Sequence, residues 1–272
     1  MALNVYSLAS GSSGNSMLIK SSDASILIDA GVGIRKLTAA LDSAGVEPAC
    51  LSATFVTHEH SDHTGAAVRI AKRYGVPIIA NSPTLEGIVG VNDVPHKTLE
   101  LDEDISIKSL NVRPFPVSHD ARCPVGYSIS CEGATVCFAT DTGRVTPRIR
   151  TEAFSADLLI LESNHDVELL MSGPYPRYLK KRVMGDWGHL SNETASNLLL
   201  EIAETGKPVA VWLAHLSDTN NSPRLALSTA KATLSNCLKN TMTVEVALRD
   251  VPSLTWGTER RTFQLSLFGD KN

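Results

Sequence analysis

His58-Glu59-His60-Ser61-Asp62-His63 places three imidazoles and two carboxylates in six consecutive residues. Imidazole nitrogen and carboxylate oxygen are the donors that suit zinc, manganese or iron. The stretch follows an apolar run, Ala53-Thr54-Phe55-Val56-Thr57, that reads as a strand, and it precedes a run to Tyr74 that reads as a helix. The cluster therefore belongs on a loop at a strand end, where a rigid scaffold presents ligands. A solvated polar loop with unrelated histidines is the plain alternative, and three His and an Asp in this spacing disfavour it.

The chain has eight histidines, and five lie outside this motif. His96 has no evident context. Residues 112–118 lead into His119, Val136-Cys137-Phe138-Ala139-Thr140 leads into Asp141, and Val209-Ala210-Val211-Trp212-Leu213-Ala214 leads into His215. Each is a β-rich run that ends in a metal-competent side chain. One ligand cluster plus three isolated strand-end ligands is the arithmetic of a site for two divalent ions, seven ligands and a water filling two coordination shells. A lone histidine is more often a satisfied core side chain, but the shared strand-end context favours ligation for these three positions.

The elements that must bring those ends together are legible in outline. Strands are expected at 5–9, 17–20, 26–29, 54–57, 78–80, 105–110, 125–130, 135–139, 158–161, 209–214, 244–247 and 262–267. Helices are expected at 34–44, 63–74, 83–89, 176–184, 192–205 and 223–238, with Ser191-Asn192-Glu193-Thr194 as a capping signal for the fifth. Strands with interspersed helices imply layered α/β packing. No repeat or Pro/Gly/Ser linker divides the 272 residues, so a single domain over 1–272 is expected, with a short tail at about 262–272.

Composition narrows the class. Hydrophobic content of 43% and charged content of 20% describe a globular chain with a sizeable core, and no apolar run approaches a membrane span. The N-terminus has no basic n-region, so no signal peptide is expected. Five cysteines, an odd number with no Cys-x-x-Cys pair, point to free thiols and a cytoplasmic location. Cys131 and Cys137 flank a turn at Glu132-Gly133 and could face each other across a hairpin; they read as packing residues. A net charge of −4 counts mildly against a protein that grips nucleic acid over its whole surface, but leaves room for a local basic patch.

The His-x-His-x-Asp-His motif followed by separate His, Asp and His motifs resembles the signature of the metallo-β-lactamase fold superfamily. The resemblance implies an αββα four-layer sandwich (α/β) with a dimetal site at one edge of its sheets. It implies that His58, His60 and His119 hold one ion, that Asp62, His63 and His215 hold the other, and that Asp141 bridges them. Asp29 matches the early Asp that supports the ligand loop without ligating. Position 141 is Asp where the classical zinc β-lactamases carry Cys, which speaks against antibiotic hydrolysis.

Two more histidines remain, His165 in Glu162-Ser163-Asn164-His165-Asp166 and His189 in Gly188-His189-Leu190-Ser191; the resemblance implies that they contact phosphate or protonate a leaving oxygen, as such histidines do in the family's phosphodiesterases. The alternative for each is a capping or packing role. Ser10-Gly11-Ser12-Ser13-Gly14-Asn15-Ser16 offers backbone N–H groups and short side chains, chiefly Ser12, Ser13 and Asn15, suited either to a phosphate or to a tight turn. Together with the ligand motif, Asn164-His165 and Gly188-His189-Leu190-Ser191-Asn192, this loop resembles the YycJ (WalJ/VicX) family. That resemblance implies a cytoplasmic, metal-dependent 5′-to-3′ DNA exonuclease, with Asn164 as a substrate contact. Arg177, Lys180, Lys181 and Arg182 form a basic run that either meets the DNA backbone or is a solvated helix face. Arg144, Arg148 and Arg150 are a weaker second candidate.

Near the C-terminus, Gln264-Leu265-Ser266-Leu267-Phe268 resembles the bacterial sliding-clamp-binding pentapeptide, with Gln264, Leu265, Leu267 and Phe268 as anchors. The alternative is a final strand, since Phe263, Leu265 and Leu267 alternate. A clamp ligand would place the enzyme at replication or mismatch repair.

The expected mechanism is phosphodiester hydrolysis by a hydroxide shared between two ions about 3.5–4 Å apart, with Asp62 and Asp141 steering its proton and His165 or His189 serving the departing oxygen. Zinc, manganese and iron all fit the donor set. The competing readings are a small-molecule or cyclic phosphodiesterase, an RNase Z-like ribonuclease, a thioester hydrolase of the glyoxalase II kind, and a metal-bound clamp-recruiting scaffold without catalysis.

Overall fold

Apolar β-rich segments alternate with amphipathic ones along the whole chain, and they fold accordingly. The computed structural model describes residues 3–101, 103–235 and 237–258. The strand expected at 262–267 and the clamp-like Gln264, Leu265, Leu267 and Phe268 lie outside the described residues. The N-terminal half runs β1 (Asn4–Ala9), β2 (Ser16–Lys20), β3 (Ser25–Ile28), α1 (Ile34–Ser43), β4 (Ala53–Phe55), α2 (Ser61–Thr64), α3 (Ala67–Tyr74), β5 (Ile78–Ala80), α4 (Ser82–Gly87) and β6 (His96–Thr98). The remainder runs β7 (Ile105–Ile107), β8 (Leu110–Pro116), β9 (Val125–Cys131), β10 (Ala134–Ala139), α5 (Pro147–Ser155), β11 (Leu158–Glu162), α6 (Val167–Ser172), α7 (Arg177–Met184), α8 (Asn192–Ala203), β12 (Ala210–Ala214), α9 (Pro223–Leu234), β13 (Thr243–Val246) and β14 (Thr255–Gly257).

Two seven-stranded sheets result, ordered β14-β1-β2-β3-β4-β5-β6 and β13-β12-β11-β10-β9-β8-β7. Side chains from both sheets, among them Met17, Ile28, Phe55, Tyr127, Phe138, Ile160 and Trp212, form one core between them. The outer face of the first sheet packs on α1, α3 and α4 through Leu37, Leu41, Ile70 and Leu85. The outer face of the second packs on α5, α8 and α9 through Ile149, Leu198, Ile202 and Ala230. The order is therefore α, β, β, α, the sandwich expected from the sequence.

Topology places the ligand-bearing ends together. β3 and β4 are parallel neighbours, as are β10, β11 and β12, and β8 runs in the direction of β10 because both are antiparallel to β9. The carboxyl ends of all six point to one edge, where ligands of open parallel sheets bind. The sheets are tied just below that edge. Tyr127 Oη donates to the Val56 carbonyl at 2.8 Å, Val125 N donates to the Thr57 carbonyl at 3.0 Å, and the Phe55 and Tyr127 rings meet edge to face at 5.6 Å.

Tertiary contacts alter several local expectations. The helix expected at 63–74 is two helices. The Ala66 N–H is drawn to the Ala30 carbonyl at 2.7 Å, and Gly65 lies so close to Gly31 that a Cβ on it would stand 2.7 Å from that carbonyl oxygen. The strand expected at 105–110 is a hairpin, β7 and β8, turning at Lys108, whose φ of 54° is left-handed. Cys131 pairs with Ala134 and Cys137 with Ser128, so the two thiols do not face each other. Cys131 enters the central core and Cys137 the outer one, and all five cysteines are free. The helices α5 and α6 were not expected; Thr146 and Asp166 cap them by accepting from Ile149 N and Leu169 N. Ser191 caps α8 as its sequence indicated, accepting from Thr194 N. Among the described residues, no helix is long and apolar enough to cross a membrane.

Candidate metal centre

Three of the strand ends turn sharply through left-handed backbone: Asp29 after β3 (φ 62°), Asp141 after β10 (φ 55°) and His215 after β12 (φ 53°). Such conformations cost roughly 1–3 kcal/mol each in a residue with a Cβ and concentrate at functional sites. The turns aim Asp141 and His215 into the edge between the sheets, beside the loop that carries His58, His60, Asp62 and His63.

Seven side chains converge there in groups whose ligand atoms lie within 4.8 Å of one another. His58, His60 and His119 form one group, Asp62, His63 and His215 a second, and Asp141 joins His58 and His63 between them. The His63 Nε2 atom is 3.3 Å from Asp141 Oδ2 and 3.4 Å from Asp62 Oδ2; His119 Nε2 is 3.7 Å from Asp141 Oδ1. The two groups, with Asp141 between them, are the sets of side chains that the family resemblance implied.

A shell of hydrogen bonds fixes which nitrogen each ring presents. His63 Nδ1 is held by Asp29 Oδ2 at 2.7 Å, His119 Nδ1 by the Gly188 carbonyl at 3.1 Å, and His215 Nδ1 by Glu162 Oε1 at 2.8 Å. Thr57 Oγ1 lies 3.0 Å from His58 Nδ1 and also reaches both carboxylate oxygens of Asp29. Each arrangement leaves Nε2 facing the centre, the outer-sphere pattern of metal-bound imidazole. Among the described residues, two buried atoms there have no hydrogen-bond partner, His215 Nε2 and Asp141 Oδ2. His58 Nε2 points at His60 Nδ1 only 3.0 Å away. Orphaned and mutually facing lone-pair atoms of this kind fit divalent cations.

Charge is distributed to match. Burial opposes a proton on His63, but Asp141 and Asp29 hold its pKa well above the usual range. Burial also opposes the His215 proton, yet Asp141, Asp62 and Glu162 lift it to about 10. His58 goes the other way, pushed well below the usual range by burial and by the surrounding imidazoles, and burial lowers His119 too. Partial burial would raise the Asp62 carboxyl, but His215 and His63 hold it far down.

The structure adds a residue that the sequence reading passed over. Glu162, at the end of β11, is wholly buried and accepts from His215 Nδ1 and His189 Nδ1, both at 2.8 Å, and from the Thr142 and Leu190 N–H groups. Burial would raise its pKa, but His189 and His215 hold it low. Its signal was present, since 158–161 is one more apolar run that ends in a metal-competent side chain. With Asp141, His189 and His215 it forms a fourth His/carboxylate group. His189 is thereby in the cluster, its ring 5.0 Å from His119 and 5.3 Å from His215.

His165 is buried one layer back. It pairs with Ser191 in an isolated β-bridge, its Nδ1 has no partner, and it joins none of the metal-competent groups found among the described residues. Asn164 is also buried and gives its amide to the His215 carbonyl at 2.8 Å. The serine-rich loop braces the site from the other side. Ser10 Oγ accepts from His215 N, Ser16 Oγ donates to the Asp29 carbonyl, and the buried Asn15 amide lies 3.2 Å from His63 Nε2. Ser12 and Ser13 are exposed on its outside, where Ser13 reaches Asp250.

The basic run lies on α7, beside the His119 end of the site. Arg182 pairs with Asp120, whose other oxygen is 3.4 Å from His119 Nε2. Lys180 donates to the Met171 carbonyl, while Arg177 and Lys181 are without an ion pair among the described residues. Arg144, Arg148 and Arg150 are each engaged with a carboxylate, of Asp186, Glu152 and Glu201. His96 is remote, bonded to the Val94 carbonyl.

Comparison with known proteins agrees with this geometry. The profile described as "Beta-lactamase superfamily domain" matches residues 24–215. The exodeoxyribonuclease WalJ of Streptococcus pneumoniae serotype 2 (strain D39) is 36% identical over 225 residues, covering 80% of this chain and 83% of that protein. The exodeoxyribonuclease YycJ of Bacillus anthracis is 34% identical over 230 residues, covering 83% and 87%. Among solved structures, the metallo-β-lactamase fold protein YhfI from Bacillus subtilis superposes with a TM-score of 0.71 at 17% identity, over 94% of this chain and 100% of that one, which speaks to the fold. The chain thus belongs to the metallo-β-lactamase fold superfamily, as a metal-dependent hydrolase of the YycJ/WalJ-type family.

Proposed function

We propose that this protein is a phosphodiester hydrolase acting on DNA, a 5′-to-3′ exonuclease that works with two divalent ions. The observation that carries the reading is His189, an eighth polar group held by buried Glu162 beside the seven-ligand cluster. The two relatives, both exodeoxyribonucleases, support DNA as the polymer. His58, His60 and His119 would hold one ion, Asp62, His63 and His215 the other, with Asp141 between them. Ions bound there supply Lewis acidity toward the phosphate and make a nearby water more acidic. Zinc and manganese both suit the donors, and iron is admitted.

The chain's own groups do the rest. Glu162 holds His189 Nδ1 at 2.8 Å and raises its pKa against the effect of burial, which favours the protonated ring. Its other nitrogen is then the donor for the departing oxygen, the help that phosphodiester cleavage needs. Asp62, Asp141 or both, themselves among the proposed ligands, would orient the attacking water and steer its proton. Arg177 and Lys181 stand free to meet backbone phosphates, and Ser12 and Ser13 offer hydroxyls on the opposite rim.

The test is release of label from 5′-labelled DNA with added Mn²⁺ or Zn²⁺. The expected result is mononucleotides from the 5′ end by the wild type and none by Asp141→Ala, whose circular dichroism is unchanged. Cleavage of a cyclic nucleotide, of RNA or of a thioester in place of DNA would replace this reading by the corresponding hydrolase. Full activity of Asp141→Ala would remove the mechanism. The tail adds a partner to the proposal, with Gln264, Leu265, Leu267 and Phe268 docking on a bacterial sliding clamp and linking the enzyme to replication or mismatch repair. A clamp pull-down in which Leu267→Ala/Phe268→Ala is retained as well as wild type would remove that partner.

A further inference from the structure

We infer that a cationic cleft beside the ligand loop, lined by Arg35, Lys36 and Arg69, holds backbone phosphates of the DNA strand that is cut at the metal centre. The inference rests on the DNA reading above and names where the rest of the strand is gripped.

The cleft measures about 490 Å³. Three segments line it: Ser13 of the serine-rich loop, residues 32–36 at the start of α1, and Arg69 of α3. Its wall is tied to the ligand loop. Val32 and Gly33 follow Gly31, whose N–H donates to the Asn15 carbonyl, and Asn15 N in turn donates to the Asp62 carbonyl. Arg69 Nη2 donates to the Gly65 carbonyl at 2.8 Å, and Gly65 N donates to the Ser61 carbonyl at 2.9 Å. The Arg69 guanidinium is thereby fixed at a residue two positions from His63. The cleft thus adjoins the loop of Asp62 and His63, whereas α7 adjoins His119 through Arg182 and Asp120. Cations flank both groups of the centre.

The charges of the cleft are not spent within the protein. Arg35 and Arg69 have no ion pair among the described residues. The exposed residues of α3 are Arg69, Lys72 and Arg73, three cations with no ion pair among the described residues, so the basic surface continues from the cleft along that helix. Arg113, Arg148, Arg150 and Arg182, by contrast, each meet a carboxylate at 2.5–2.8 Å. In a chain of net charge −4, a concave surface this poor in carboxylates concentrates polyanions. Asp250 is the one acid that lines the cleft; it takes Lys36 at 3.3 Å and accepts from Ser13 Oγ at 3.4 Å, offsetting a single cation. An acidic peptide would meet the same charges, but a polymer cut at the adjoining metals must occupy their flank as well. Phosphate contacts of this kind position a strand without reading its bases.

The experiment follows the anisotropy of a fluorescein-labelled phosphorothioate oligothymidylate of about 16 nucleotides on the metal-loaded, full-length enzyme over about 50–200 mM salt. Each cation that meets a single-strand phosphate steepens the log–log fall of affinity with salt by about 0.7. Arg35→Ala is expected to flatten that slope by about 0.7, Arg35→Ala/Arg69→Ala by about twice as much, and Arg35→Lys to keep it. Arg35→Ala leaves the Arg69 bond to Gly65 in place, so its effect does not pass through the ligand loop. Asp250→Asn, which frees Lys36, is expected to tighten binding, a gain that misfolding does not imitate. Lys231→Ala, at an exposed cation of α9 outside the cleft, is expected to leave the slope unchanged. An unchanged slope in Arg35→Ala, an equal change in Lys231→Ala or no gain in Asp250→Asn overturns the cleft. The DNA reading itself fails separately, when wild-type enzyme releases no nucleotide from labelled DNA.

Discussion

Glu162 Oε1 lies 2.8 Å from Nδ1 of His215, and both side chains are wholly buried. The bond fixes the imidazole so that Nε2 faces the metal centre, and the same oxygen reaches His189. Replacing Glu162 by Gln keeps the volume and removes the charge. Metal affinity of the Asp62, His63 and His215 group should fall about 10- to 100-fold, the usual effect of losing such a support. Competition with a chelator measures it, and an unchanged affinity would show that Glu162 is only a packing residue.

Asp29 takes the corresponding role for His63, and it accepts from Thr57 N as well. In Asp29→Asn the amide oxygen can still serve Thr57, but the NH2 group must then donate to His63 Nδ1. That pushes the ring proton onto Nε2, the nitrogen that faces the metals. We expect metal affinity to fall about 10- to 100-fold while the sheet survives, because the Thr57 contacts persist. Metal content after dialysis and a thermal melt separate the two effects. Full metal content would contradict the tautomer argument.

A Cβ at Gly31 would lie 1.6 Å from the Asp62 carbonyl oxygen and 2.2 Å from its carbon. Both are backbone atoms, so the ligand loop must move. Gly31→Ala should destabilise the protein by about 1–3 kcal/mol or more, as overpacking does, and displace Asp62 and His63 together. Denaturant melts with and without metal test this; wild-type stability and metal content would refute the close approach.

Protons and metals compete for the same nitrogens. His215 in the metal-free protein has its pKa raised to about 10. Its ion pairing therefore stabilises the fold fully below the unfolded value of about 6.5, and that contribution is lost as pH rises through about 10. Metal binding must displace this proton, so apparent affinity should rise with pH by about tenfold per unit for each proton released. Metal-free Tm should fall between pH 7 and 10, and metal should restore it. A metal affinity independent of pH would show that His215 carries no proton to displace.

The seven candidate ligand positions and the layered fold could be read from the chain because each such position is a local event. An apolar run ends and a metal-competent side chain follows it, at His58, His119, Asp141 and His215 alike. Glu162 obeys the same pattern after β11, but its neighbour His165 drew the assignment. Nothing local distinguishes them: Glu162 is defined by partners 27 and 53 residues away, His189 and His215, which only the parallel order β10-β11-β12 brings beside it. Composition could not show that Arg182 is occupied by Asp120 while Arg177 and Lys181 have no ion pair among the described residues, since that depends on which helix face meets the loop after β8.

By itself the amino-acid sequence determined the types and spacing of the candidate donors and a layered α/β chain, because ligand chemistry and hydrophobic period are written residue by residue, and its motifs carried the resemblance that implied the family and the sandwich. The tertiary structure decided which nitrogen each histidine presents, which of His165 and His189 joins the cluster, and where the helix at 63–74 breaks. Those outcomes depend on hydrogen bonds and close backbone approaches between segments far apart in the chain, and only the packed sheets set those distances.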